Sequence, residues 1–158
     1  MANLQVYKVY NQEEVDEIFT VVSAIDAPRW IQRLSLQPGR AVDNAGCSYD
    51  YCNHTQMAKE TREFLKHRAP RYDDFFLSEI AVNRYNPDDY IGCHRDRHDF
   101  RRNVVISLQT GDDGLYIDDT GEFIKDYAGQ GVLIEGIGPA HSVPPVKKTR
   151  YSLIFLYE

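Results

Sequence analysis

An α+β fold, two N-terminal helices packed on a C-terminal β core, is predicted by three features of the sequence. Two stretches before Pro70 repeat apolar residues at helical spacing. After Pro70 the chain breaks into short runs of β-branched and aromatic residues. Gly, Asp, Asn or Pro separates those runs. At 158 residues the chain suits one domain with one core, in which 1–75 reads as mainly helical support and 76–158 as the β core.

Asn11 can cap the first helix, whose apolar positions Val15, Ile18, Phe19, Val22 and Ile25 recur every three or four residues, with Pro28 just beyond. Asn53 can cap a second, with Met57, Thr61, Phe64 and Leu65 on one face and Pro70 past its end. Both read as amphipathic supports. Between them, "VDNAGCSYDYCNHT" is polar and turn-rich and reads as a mobile edge. The runs "FFLSEIAVNRY", "YIGCHRD", "NVVISLQ", "GLYID", "EFIKDY", "GVLIEG" and "RYSLIFLY" then predict an antiparallel sandwich or barrel.

Bulk properties narrow the function. No stretch approaches the ~18 apolar residues of a membrane span, and "MANLQVYKVY" lacks the basic and apolar regions of a secretory leader. Cys47, Cys52 and Cys93 are too few and too scattered for a disulfide framework or a thiolate zinc site, so a reduced, cytoplasmic setting is expected. A net charge of -6 argues against a dedicated duplex-DNA binder.

The chemistry concentrates in "GCHRDRHDF". On a strand, alternate residues share a face, so His94 and Asp96 can converge on one ion. His98 lies roughly 13 Å beyond His94 along a straight strand, too far to share an ion held by bonds of about 2 Å, and reads as a bystander. Arg95 and Arg97 point to the other face. A third ligand must come from elsewhere. His54 and His67 sit among charged neighbours and read as surface groups. His141, in "GPAHSVPPV" at the head of a short strand, is the better candidate. Two histidines and a carboxylate form the facial triad of non-haem iron oxygenases, which leaves coordination positions open. A zinc hydrolase could use the same ligands but would need a general base nearby. His-Arg-Asp also opens a protein-kinase catalytic loop, but Arg101 stands where that loop needs Asn, and no glycine-rich loop is present.

Arg150 begins the apolar run that ends the chain, so it enters the core and needs an anion, either an internal carboxylate or a ligand's. "PPVKKT" is expected to turn the chain so that the strands of His141 and Arg150 lie side by side. Ser152 shares the face of Arg150, while Asn83 and Tyr85 share a face upstream and can donate to the same anion. Arg95, Arg97, Arg101 and Arg102, set against Asp88, Asp89 and Asp99, read as a solvated charged rim. Arg29, Arg33 and Arg40 form a looser group.

Taken together, "NRYNPDDYIGCHRD" followed by "AHSVPPVKKTRYSLIF" resembles the Fe(II)- and 2-oxoglutarate-dependent dioxygenases over about residues 76 to 157. The resemblance implies a double-stranded β-helix (jelly-roll) core, with His94, Asp96 and His141 as iron ligands. It implies Arg150 on the distal carboxylate of 2-oxoglutarate, assisted by Tyr85, Asn83 and Ser152. The implied reaction consumes O2, with ascorbate as accessory reductant, and hydroxylates a C–H bond while releasing succinate and CO2. Two branches compete. "NRY" and "YIGCHRD" are similar to AlkB-like nucleic-acid demethylases, with "SYDY" matching their upstream region, but Leu156 stands where those enzymes carry a second Arg. The short spacing from His141 to Arg150 is more similar to prolyl hydroxylases, which favours a protein or peptide substrate. A cupin-like module that binds a metal or small acid without turnover is the non-enzymatic alternative.

Overall fold

A computed structural model describes residues 4–35, 46–96 and 101–158. In chain order the elements are β1 (Leu4–Lys8), α1 (Gln12–Ser23), β2 (Ile31–Ser35), β3 (Cys47–Asn53), α2 (Lys59–Lys66), β4 (Leu77–Tyr85), β5 (Tyr90–His94), β6 (Arg102–Ser107), β7 (Gly114–Ile117), β8 (Glu122–Lys125), β9 (Gln130–Glu135), β10 (His141–Val143) and β11 (Arg150–Tyr157). Every strand pairing is antiparallel. The path runs β1-β9-β6-β11-β4-β3-β5-β10-β7-β8, with β2 beside β3.

Each apolar run of the second half becomes a strand. The first half differs from expectation, because it also contributes β1, β2 and β3. β3 is no mobile edge. It bonds to β4 through Asp50–Asn53 and to β5 through Cys47 and Ser48, so the sheet turns its corner there. Its polar residues hide the strand from a composition reading, yet Tyr49 and Cys52 are buried and Asp50 holds Arg84 at 2.8 Å. Residues 42–45 of the supposed mobile edge lie outside the described residues.

Helix α1 starts as expected. The Asn11 side chain accepts from the Glu14 amide and Glu14 reaches back to the Asn11 amide, closing a capping box. Val15, Ile18 and Val22 are buried, while Phe19 sits edge-on to Tyr151 at 5.5 Å. Helix α2 starts later than predicted, with Ala58 at its cap. Asn53 instead ends β3, where its side-chain oxygen accepts from the amide and hydroxyl of Thr55. An Asn side chain that closes a turn on its own backbone competes with helix initiation.

Alternation along the strands divides the molecule. Ile80 and Val82 on β4, Val104 and Ile106 on β6, Leu133 on β9, and Leu153 and Phe155 on β11 form one core with Val15, Ile18, Val22 and Leu65 of the helices. The opposite face of β4 and β9 offers Tyr85, Val132 and Ile134, which pack with Leu115, Ile117, Ile124 and Val143 of the smaller layer. The intervening positions Asn83, Asn103, Arg150 and Ser152 therefore face the space between the layers, where all four are buried.

Candidate active site

His94 ends β5, and His141 begins β10 directly opposite it in the ladder. Their ring centroids are 4.3 Å apart. Each Nδ1 lies 2.9 Å from the carbonyl oxygen two residues earlier, Gly92 for His94 and Pro139 for His141. A carbonyl only accepts, so each Nδ1 carries the proton and each Nε2 is turned inward. Asp96 Oδ1 lies 3.3 Å from His141 Nε2 and 3.9 Å from His94 Nε2. One ligand atom from each of the three residues falls within 4.8 Å of the others. Asp96 reaches this point from just past the end of β5 rather than from an alternating strand position. The Asn103 amide on β6 donates to its Oδ2 at 2.8 Å and so turns Oδ1 toward the histidines.

Burial alone would raise the Asp96 carboxyl, but the bond and charge of His141, the Asn103 amide and His94 together hold it below its usual value. Burial likewise works against protonated His141, and Asp96 outweighs it, so the imidazole is raised. Two imidazole nitrogens and one carboxylate oxygen are a donor set suited to Fe(II) and similar divalent ions. His98, Arg97, Asp99 and Arg40 lie outside the described residues.

Arg150 does not reach the site from a neighbouring strand of His141. β10 pairs with β5 and β7, whereas β11 pairs with β4 and β6. The segment between them crosses from one layer to the other. It is anchored where the Val146 amide donates to the Asp89 carbonyl and the Val146 carbonyl accepts from the Asp88 amide, with the Lys147 amide donating to the Asp113 carboxylate. His141 and Arg150 therefore face each other across the interior.

Arg150 does have an internal carboxylate. Its Nε and Nη2 donate to Asp126 at 2.7 and 3.1 Å, and Ser107 Oγ donates to the same carboxylate at 2.8 Å. Arg150 Nη1 nevertheless has no hydrogen-bond partner among the described residues, nor do the buried Ser152 Oγ and Asn83 Oδ1. Asn83 Nδ2 donates to Tyr85 Oη at 3.3 Å. Burial pushes the Tyr85 phenol up to about 12 despite the nearby Arg150 charge, so it stays protonated and can donate. Its ring stacks on Tyr49 at 5.5 Å. A cavity of about 70 Å³ is lined by His94, Asp96 and His141 from β5 and β10 and by Asn83, Tyr85, Arg150 and Ser152 from β4 and β11. A wider groove of about 450 Å³ shares His94, Asp96 and Asn83 and extends past Tyr49, Tyr51 and Leu156.

The rest of the predicted set divides. His54 is half-buried and His67 is exposed, both away from the triad. Arg95 is not on a separate face: it lines the groove and bonds Asp119 and the Gly138 carbonyl. Arg101 is exposed, as expected of a charged rim, with its guanidinium over the Phe75 ring, whereas Arg102 is half-buried, lies over the same ring and pairs with Glu135. Sequence reading missed Asn103, Asp126 and Tyr49. Asn103 carried a signal as a polar residue heading the apolar run Val104–Ile106, and Tyr49 lies within "SYDY", but Asp126 carried none.

The sequence matches no protein-family model and no curated protein. Solved structures do match. A 2OG-Fe(II) oxygenase family oxidoreductase from Burkholderia pseudomallei superposes with a TM-score of 0.67 at 15% identity, over 99% of this chain and 85% of that one. A Pseudomonas putida prolyl-4-hydroxylase gives 0.65 at 17% identity, over 100% and 93%. SnoK, an alpha-ketoglutarate-dependent carbocyclase from nogalamycin biosynthesis, gives 0.68 at 11% identity, over 99% and 79%. The chain has the double-stranded β-helix fold of the 2-oxoglutarate- and Fe(II)-dependent oxygenases.

Proposed function

We propose that the protein is a single-domain Fe(II)- and 2-oxoglutarate-dependent dioxygenase that hydroxylates a C–H bond of a protein or peptide. The observation that carries this reading is the small cavity itself. Three residues able to hold a metal line it, and so do the unpartnered buried donors Arg150 Nη1 and Ser152 Oγ. A buried polar atom without a partner costs about 1–3 kcal/mol, so two unpartnered donors on one cavity, Arg150 Nη1 and Ser152 Oγ, argue for a ligand that brings acceptor oxygens. A dicarboxylic keto acid fits both sets. His94 and His141 Nε2 and Asp96 Oδ1 hold the metal, and Asn103 keeps the carboxylate ionised and correctly turned. Arg150 Nη1, Tyr85 and Ser152 donate to the distal carboxylate, and the adjoining apolar core excludes water.

Fe(II) held there supplies the redox chemistry that couples O2 and 2-oxoglutarate to hydroxylation, with succinate and CO2 as products. The prolyl hydroxylase among the neighbours supports a peptide substrate. So does a groove in which Tyr49, Tyr51 and Leu156 stand beside both Arg33 and Arg95 and the acidic Glu79, a mixed lining and not the basic track that a phosphate backbone needs. No helix among the described residues is long and apolar enough to cross a membrane, and Cys47, Cys52 and Cys93 are unbridged, which suits a reducing cytoplasm.

Succinate release from 2-oxoglutarate by purified protein with Fe(II) and ascorbate in air, beside Asp96→Ala, tests the assignment. Turnover by the wild type alone is expected. Failure to bind 2-oxoglutarate with Mn(II) under anaerobic conditions would refute the assignment and leave the cupin-like binding module.

A further inference from the structure

Asp126 belongs to no predicted motif, yet it is as deeply buried as any charged residue among the described residues, with 1% exposure. It stands just past the end of β8 and takes two of the N–H directions of Arg150 side-on, through Nε and Nη2. Its own position is fixed by Ser107 on β6, from Oγ to Oδ1, and Gln109 Nε2 approaches Oδ2 at 3.4 Å. The planar guanidinium therefore cannot swing about its stem. Its one unpartnered nitrogen, Nη1, is left beside the cavity that also receives Ser152 Oγ. A free arginine side chain samples many rotamers, and holding it in one geometry removes that entropy from the binding step.

We propose that Asp126 is a positioning residue. It aims Arg150 Nη1 at the distal carboxylate and thereby sets the preference for a dicarboxylic over a monocarboxylic 2-oxo acid. The inference rests on the role given to Arg150 above. It differs from a purely structural ion pair in one respect. A structural pair holds the two layers together and treats all keto acids alike, whereas a positioning residue affects only ligands that reach Arg150.

The test compares dissociation constants for 2-oxoglutarate and 2-oxobutyrate, which has the same keto-acid end and no distal carboxylate. Both are measured with Mn(II) under anaerobic conditions on the full chain. Asp126→Asn removes the charge and at most one of the two bonds. Ser107→Ala leaves the charge and loosens its anchor, and it remains informative if the first variant folds poorly. Asp126→Asn should weaken 2-oxoglutarate by about tenfold, the scale of one lost charge-assisted hydrogen bond. Ser107→Ala should weaken it by about threefold, a smaller loss because the ion pair itself survives. Neither should change 2-oxobutyrate or Mn(II) binding.

Equal weakening of both acids would make Asp126 structural only. Tighter 2-oxoglutarate binding by Asp126→Asn would show that Asp126 opposes the anion instead of aiming its clamp. Either result overturns the proposal, as does unchanged selectivity in both variants. Arg150→Ala is the control that separates the two ideas. If it too leaves 2-oxoglutarate affinity unchanged, the assignment of Arg150 to the co-substrate has failed, and Asp126 has nothing to position.

Discussion

The two faces of β11 make opposite uses of one strand. Leu153 and Phe155 face the helices and are fully buried among apolar neighbours. Arg150 and Ser152, each one step out of phase, are almost as buried but face a polar cavity and carry atoms without partners. β4 repeats the arrangement, with Ile80 and Val82 on one side and Asn83 and Tyr85 on the other. Burial alone therefore does not distinguish stability from chemistry here. What distinguishes them is whether the buried surface is satisfied by the protein itself.

Substitutions on the two faces should separate cleanly. The largest effect belongs to the metal ligands. His94→Ala, Asp96→Ala and His141→Ala should each abolish metal binding and succinate formation while the chain stays folded, as checked by isothermal titration with Mn(II) and by circular dichroism. Full activity in any one would remove that residue from the centre. On the helix-facing side, Phe155→Ala should cost about 3–5 kcal/mol in urea denaturation. Its remaining folded fraction should bind 2-oxoglutarate normally, and loss of binding there would break the division between faces.

A smaller effect is expected at Asn103. Asn103→Ala removes the donor that orients Asp96 and should weaken metal binding by about 10–100-fold, the usual range for a residue that orients a metal ligand. Unchanged affinity would mean that the histidines orient Asp96 alone.

The smallest effect is on pH dependence of the metal-free protein. The Asp96 pKa is lowered on folding, so its contribution to stability is present above the unfolded carboxylate value of about 3.9 and is lost as pH falls through the lowered folded value. The His141 pKa is raised, so its contribution is complete below about 6.5 and is lost as pH rises through the raised folded value. In chelator, the melting-temperature difference between wild type and Asp96→Asn should therefore peak between those limits and shrink at alkaline pH. Added Mn(II) should reverse the alkaline trend, because metal needs the deprotonated imidazole. A pH-independent difference would show that the pair is uncharged in the metal-free protein.

The same division explains what the sequence revealed. The strands after Pro70 were legible because their outward residues alternate with inward ones against a dry core. The triad was legible because two ligands share one short segment and His141 heads its own strand. The Arg150–Asp126 pair was only half visible: a buried arginine demands an anion, but which of 24 acidic residues supplies it depends on how β8 and β11 meet in space. β3 was hidden because Ser48, Asp50 and Asn53 resemble a turn until pairing and Arg84 give them partners. The crossover between β10 and β11 was misread as a hairpin because prolines signal a change of direction without saying where the chain goes next.

His94 and His141 are exact cross-strand partners, from segments far apart in the chain. An ion gripping both would act as a cross-link, closing a long loop in the manner of a disulfide but reversibly. Loop closure of that length restricts the unfolded ensemble, and a ligand at a hundred times its dissociation constant adds about 2.7 kcal/mol by mass action. Resistance to proteolysis should then track metal supply, with the seam between β5 and β10 the first place to open when the ion is withdrawn.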